Sequence, residues 1–333
     1  MKKEKKRGRR ILRRLLSVLL ILVVVLAAVM YLVPLFEHVK NDPVKGSADW
    51  MAKLDGKLPL NEINLPGTHD SATQYVGLPF FSRCQDLSVR GQLNAGFRYL
   101  DIRLGDSDGR LKLMHGFVNC KTGAAPWSGA LYLDAVLKDC YAFLKEHPTE
   151  TVVFAVKQEH GDLSASDFEN LLAGYIAKNP DQWLLTDRIP TLEQARGRLV
   201  LMRRYEDEAG LGANSGIPML WKDQNGHDDV SLHAAEEDNG YLLRVQDRYC
   251  YGAGDKWNAF LAGLDSASAE NGTLSLHFLS TKGTLPFGHA YYFAGKLNPK
   301  LMKTELPGRC GWIVVDSGTA KLAQKIYSTN FAN

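Results

Sequence analysis

Residues 133–159, LDAVLKDCYAFLKEHPTETVVFAVKQE, decide how the rest of the chain is read. Leu133, Val136, Leu137, Cys140, Phe143 and Leu144 recur at three- and four-residue intervals and put one apolar stripe on a helix. Pro148 stops that helix, and TVVFAVK follows at once, an apolar run of the kind found in strands buried on both faces. A helix feeding directly into such a strand is half of a βα repeat. Candidate strands at 62–64, 99–103, 112–114, 199–203, 242–246, 274–278 and 312–315, most of them rich in Val, Ile, Leu or aromatics, join 151–157 to make eight, and helical patterns at 167–177, 257–269 and 320–327 lie among them. No repeat or long linker divides this body. The expectation is an α/β chain: a single distorted (β/α)8 TIM-type barrel over 58–333, preceded by an N-terminal transmembrane helix.

The chain has 333 residues and a formal charge of +3, which hides an uneven distribution. Residues 1–14 (MKKEKKRGRRILRR) hold nine basic residues and one acid, whereas the remainder holds 31 basic and 36 acidic residues, a net of −5. The folded body is therefore not globally basic, which argues against nucleic acid as a partner. The basic cluster, 1–14, reads as a cytoplasmic segment, and the apolar run beginning at Leu15 reads as a transmembrane anchor over 15–35. Its core, 15–33, has polar side-chain groups only at Ser17 and Tyr31, and as a helix it spans about 28 Å, close to one bilayer core. The flanking cations favour an inside amino terminus and an extracytoplasmic body. The alternative, secretion after signal cleavage, is weakened by the length of the run and by the lack of a small-x-small site around 29–32. Residues 36–57 are expected as a stalk or a first surface helix. Cys84, Cys120, Cys140, Cys250 and Cys310 form no CxxC pair, and their pairing stays open.

In a barrel of this type, chemistry belongs at the carboxyl ends of the strands. There the sequence places Thr68-His69-Asp70-Ser71, Asp101-Ile102-Arg103, Met114-His115-Gly116, Lys157-Gln158-Glu159, Arg203-Arg204-Tyr205, Gln246-Asp247-Arg248-Tyr249 and Asp316. Any one of these could be structural. Seven together would be costly without a use. The other histidines, His38, His147, His160, His227, His233, His277 and His289, have no such setting. No GxGxxG follows the first strand, and there is no GxxxxGK[ST] loop, GxSxG elbow or HExxH helix. Two histidines, an arginine and several carboxylates suit attack at phosphorus, with one imidazole taking a proton, the other giving one and a guanidinium binding the developing charge. A metal-dependent glycerophosphodiesterase-like enzyme and a silent inositol-lipid-binding barrel are the alternatives. Arg103 opposes the first, since a fixed cation repels Ca²⁺ or Mg²⁺.

The ordered motifs LPGTHDSAT (65–73), GFRYLDIRL (96–104), LMHGF (113–117), FLKEHPTETVVFAVKQE (143–159), ARGRLVLMRRY (195–205), VQDRY (245–249), LNPKL (297–301) and GWIVVD (311–316) resemble the bacterial phosphatidylinositol-specific phospholipases C. The resemblance covers about residues 50–330. It implies cleavage of phosphatidylinositol to diacylglycerol and inositol 1,2-cyclic phosphate, with no cofactor and no metal. It also implies His69 as general base oriented by Asp316, His115 as general acid assisted by Asp70, and Arg103 on the phosphate oxygens. Asp101 is expected to hold Arg103 or His115. Lys157, Arg204, Asp247 and Tyr249 are expected to bind the head group, with Arg203 facing away. The implied partner is phosphatidylinositol in a bilayer, with glycosyl-phosphatidylinositol anchors left open. Rim segments 78–81, 126–127 and 287–293 are candidates for touching lipid.

Overall fold

The computed structural model describes residues 2–225, 233–236, 241–269, 272–285 and 288–331. Its strands are β1 (Pro66–Thr68), β2 (Tyr99–Ser107), β3 (Arg110–His115), β4 (Val118–Asn119), β5 (Val152–His160), β6 (Trp183–Leu184), β7 (Leu199–Arg203), β8 (Ile217–Pro218), β9 (His233–Glu236), β10 (Tyr241–Gln246), β11 (Thr273–Phe278) and β12 (Trp312–Val315). They make one curled, mostly parallel sheet in the order β6-β7-β5-β2-β1-β12-β11-β10-β9.

The sheet curls like a barrel without closing. β8 pairs the upper half of β7 and β6 the lower half, on the side away from β5. Among the described residues no backbone ladder joins β8 to β10. Side chains span that seam: Gln224 Nε2 donates to the Val245 carbonyl at 2.9 Å, and Tyr241 Oη donates to the Pro218 carbonyl. The distortion expected of the (β/α)8 barrel takes the form of an open, curled sheet.

Two predicted strands also move. Glu62 closes a 3₁₀ turn, Leu60–Glu62, with Ile63 just after it, and the first strand is β1, which starts at Pro66. β1 carries Pro66 and Gly67, which read as a turn. Gly67 is required because it sits beneath Tyr99 and Val314, where a Cβ would lie 2.9 Å from the Tyr99 ring. The run at 112–114 belongs to β3, which returns antiparallel to β2 as a hairpin outside the parallel set. His115 therefore reaches the mouth from a hairpin, not from a barrel strand.

Strand parity divides the core. Tyr99, Val153, Ala155, Val200 and Met202 join one cluster, which also holds Trp312 and Phe278. Their neighbours Leu100, Ile102, Phe154, Val156, Leu199 and Leu201 pack outward with the helix Leu133–Glu146 and the helix Ala165–Ile176. Continuing the inner set by two residues gives Asp101 and Arg103 on β2, Lys157 on β5 and Arg204 after β7. The alternation that builds the core delivers the charged residues to one mouth.

The segment expected as a stalk or surface helix divides in two. Residues 47–54 pack onto the core, with a short 3₁₀ helix, Ser47–Lys53, that buries Trp50 and Met51, and with Leu54 buried after it. At the amino terminus, Lys2–Leu32 is one helix whose 18-residue apolar window is only 6% buried. The five cysteines are all free. Residues 290–293, expected on a rim loop, begin the helix Ala290–Lys303, and Phe293 packs against the core. Phe287 and His227 lie outside the described residues.

Candidate active site

The mouth opens on a cavity of about 750 Å³ lined by His69, Arg103, His115, Lys157, Arg204, Asp247, Tyr249 and Asp316, eight of the ten residues expected. Asp70 and Asp101 are 1% and 0% exposed and lie just beneath it.

β1 ends at Thr68, and the chain turns sharply through Asp70, whose φ of +46° is a left-handed conformation that Asp tolerates. The turn is fixed by hydrogen bonds from Ser71 N–H to the Asp101 carbonyl at 2.9 Å and from Thr73 Oγ1 to the Asp70 carbonyl at 2.7 Å. It aims His69 and Asp70 at different partners. His69 Nδ1 lies 2.8 Å from Asp316 Oδ1, and His115 Nδ1 lies 2.5 Å from Asp70 Oδ2. In each histidine a buried carboxylate takes Nδ1 and leaves Nε2 for the cavity.

Arg103 stands between them. Its Nη2 donates to His69 Nε2 at 2.9 Å, and because guanidinium is donor-only this ring nitrogen carries the lone pair. The proton is then on Nδ1 and is donated to Asp316. Arg103 is held by Asp101 at 3.1 Å and Glu159 at 3.2 Å, with Asp70 at 3.6 Å. Asp101 also accepts from Arg204 Nη1 at 2.9 Å, and Glu159 from Lys157 Nζ at 2.5 Å. The open expectation for Asp101 is resolved in favour of Arg103. It holds two arginines and does not touch His115.

These charges set the titration of the site. Burial disfavours ionised Asp101, but Arg103 and Arg204 outweigh it and hold its carboxyl well below the usual range. Glu159 is likewise penalised by burial, yet Arg103 and Lys157 pull it down to about 2. For His69, burial opposes the charged ring; Asp316 overcomes both that and the repulsion of Arg103, and the net shift is upward.

Cys84 lies within reach of both histidine pairs, so His69, Cys84 and Asp316, or Asp70, Cys84 and His115, have the spacing of metal ligands. The chemistry fits poorly. Burial, with Asp316 and Asp70 nearby, pushes the Cys84 thiol far up, and both Nδ1 atoms are already turned on carboxylates. Arg103 fills the centre with fixed positive charge.

The inner wall carries the remaining expected residues. Trp221 stacks on the Arg204 guanidinium at 4.0 Å and donates from Nε1 to Asp247 at 3.2 Å. Tyr249 Oη donates to Asp223 at 2.8 Å. Arg203 points away from the cavity and donates to the Tyr205 carbonyl at 2.8 Å. Sequence reasoning placed Glu159 among the strand-end groups but gave it no role, and it passed over Trp221 and Asp223. Glu159 had a signal, since it lies two residues after Lys157 on the same face of β5. Trp221 and Asp223 had none, because their segment has no periodicity.

The family model for the phosphatidylinositol-specific phospholipase C X domain matches residues 64–205. That interval spans both histidines, Arg103, Lys157, Glu159 and Arg204. The 1-phosphatidylinositol phosphodiesterase of Staphylococcus aureus (strain Newman) is 29% identical over 300 residues, covering 84% of this chain and 91% of that protein. The protein of the same description from Listeria monocytogenes is 29% identical over 190 residues, 53% of this chain and 55% of its own length. A solved structure of the Staphylococcus aureus phosphatidylinositol-specific phospholipase C superposes with a TM-score of 0.71 at 25% identity, over 85% of this chain and 97% of that one. The Listeria monocytogenes enzyme, at 22% identity and a TM-score of 0.63 over 85% and 98%, shares the fold. Residues 64–205 thus match the X domain of the phosphatidylinositol-specific phospholipases C, and the body as a whole is similar to the bacterial enzymes of that description.

Proposed function

We propose that the chain is a phosphatidylinositol diacylglycerol-lyase that works by two-histidine acid–base catalysis without a metal. The observation that carries this reading is the pair of imidazoles, each with Nδ1 on a buried carboxylate, flanking one guanidinium at the same cavity.

Arg103 Nη2 shifts from His69 Nε2 to a non-bridging phosphate oxygen as the substrate enters, which exposes the lone pair of the base. His69 Nε2 takes the proton of the inositol 2-hydroxyl, and that oxygen attacks phosphorus. The bond from phosphorus to the diacylglycerol oxygen breaks as His115 Nε2–H gives its proton to the leaving group. The products are diacylglycerol and inositol 1,2-cyclic phosphate, and the two histidines end with their roles exchanged. Asp316 and Asp70 orient the rings. Asp101 and Glu159 keep Arg103 in place by balancing its charge. Lys157, Arg204 and Asp247 offer donors and acceptors to the inositol hydroxyls, with Tyr249 beside them as a flat wall.

The helix Lys2–Leu32 serves as a single-pass anchor in this reading, with the basic end cytoplasmic and the catalytic body extracytoplasmic. The test is release of cyclic inositol phosphate from phosphatidylinositol in detergent micelles by the full chain in excess EDTA. Turnover that persists is expected; turnover restored only by Ca²⁺ or Mg²⁺ would overturn the mechanism. His69→Ala and His115→Ala should each lower kcat by about 10²–10⁴ with the fold retained by circular dichroism.

A further inference from the structure

The segment after the amino-terminal helix is fastened to the body, and it is fastened at the cavity mouth. The end of the helix and its 3₁₀ extension, Val33–Leu35, pack against the short helix Pro79–Ser82, burying Met30 and Pro34. Leu78, Phe81 and Ser82 of that same element line the cavity. The Glu37 carbonyl accepts from Arg83, and its carboxylate lies 2.9 Å from His289 Nε2, between the lining residues Gly288 and Ala290. Further along, Val39 N–H donates to Asp86 at 2.8 Å, Tyr291 Oη to the His38 carbonyl at 3.2 Å and Ala320 N–H to Asn41 at 2.8 Å. The anchor therefore leaves the body from its rim, and residues 11–27 extend free of it, exposed on every side.

Around the point of exit the rim carries apolar side chains. Phe36, Phe117 and Leu285 are 86%, 68% and 68% exposed. Phe117 lies in the turn between β3 and β4, two residues after His115, and lines the cavity. Exposed aromatic and aliphatic side chains of this kind suit the interfacial zone of a bilayer.

We propose that the docked stalk holds the cavity mouth down on the bilayer that the chain's own helix crosses, so that the enzyme works in cis, on lipid in the leaflet next to its anchor. This rests on the reading of the chain as an anchored phosphatidylinositol phospholipase C. A tether of this kind raises the effective concentration of lipid in its own membrane and excludes lipid elsewhere by geometry.

The test uses the full chain reconstituted in vesicles of phosphatidylcholine and phosphatidylinositol, mixed with an equal amount of enzyme-free vesicles whose phosphatidylinositol bears a different isotope. Cleavage in the enzyme's own vesicles should exceed cleavage in the others by at least about tenfold. Equal rates would overturn the proposal. A Glu37→Ala/Arg83→Ala variant, which removes the stalk's bonds to Arg83 and His289, leaves those at His38, Val39 and Asn41 and spares the cavity lining, should keep its micelle rate and lose part of the preference. Full preference in that variant would equally overturn it. The catalytic reading fails separately, by absence of turnover in micelles. In that event the orientation is still read in bilayers free of phosphatidylinositol: the emission added by Phe117→Trp should be quenched by brominated lipid, and unquenched emission sinks the proposal.

Discussion

His69 gives its two ring nitrogens opposite roles. Nδ1–H donates to Asp316, and Nε2 receives a hydrogen bond from Arg103. Burial works against its protonation and Asp316 works for it; Asp316 prevails, so the pKa lies above the ordinary 6.5. In the proposed mechanism His69 is the general base, and a general base must be neutral. Activity should therefore rise with pH through a value above 6.5, and the acid limb of kcat/KM against pH reports that group. Asp316→Asn removes the favourable charge and leaves burial and Arg103 in control. The acid limb should move to lower pH, while the maximal rate falls by about 10²–10⁴. A pH–rate profile checks both, and an unmoved limb would remove Asp316 from the base. The ten residues at this mouth were nameable before their geometry because each falls at the end of an apolar run or in a family motif. Their connections were not. Asp316 lies 247 residues from His69, and no local pattern specifies that bond. Glu159 was placed at the mouth but given no role, because that role depends on two cations set side by side by the pairing of Arg103 with Lys157 across β2 and β5.

At the scale of elements, the floor of the sheet is tied together by Arg98 and Glu150, both 0% exposed. Arg98 donates to Glu150 at 2.9 Å and to the carbonyls of Leu93, Phe97 and Ala48, and it stacks on Phe143 at 4.7 Å. This joins the start of β2 to the loop before β5 and to the segment 47–54. Arg98→Met should cost about 3–5 kcal/mol, because it leaves a buried carboxylate unpaired, and Arg98→Met/Glu150→Leu should recover much of the loss. Urea unfolding of both variants measures the difference; equal losses would show that the pairing is not what stabilises this floor. Strand type was legible where the run was largely apolar, as in the first half of β5 and in β7 and β12. β1 was not, since Pro66 and Gly67 carry turn chemistry and become a strand only because Tyr99 and Val314 close over the glycine. β3 looked like a parallel strand because apolar content does not encode direction; the tight Asp108-Gly109 turn before it, with φ of +51° and +71°, does.

For the whole molecule, the formal charge of +3 is an average of unlike parts. The +8 of residues 1–14 sits on one end of an exposed apolar helix, and the remainder carries −5. The body's functional cations are turned inward, with Arg103 and Arg204 paired to Asp101 and Lys157 to Glu159. A body of this charge gains nothing from bulk attraction to an anionic surface. In the anchored reading, its membrane contact comes from the helix over 15–35 and from apolar rim residues such as Phe117. Salt separates these contributions, because exposed charges more than about 10 Å apart are screened at 0.1 M ionic strength whereas apolar burial is not. The full chain in its own vesicles should therefore cleave phosphatidylinositol at rates that change by less than about threefold between roughly 0.05 and 0.5 M NaCl. A steep decline across that range, read as release of cyclic inositol phosphate, would mean that surface charge rather than the docked anchor brings this body to its lipid.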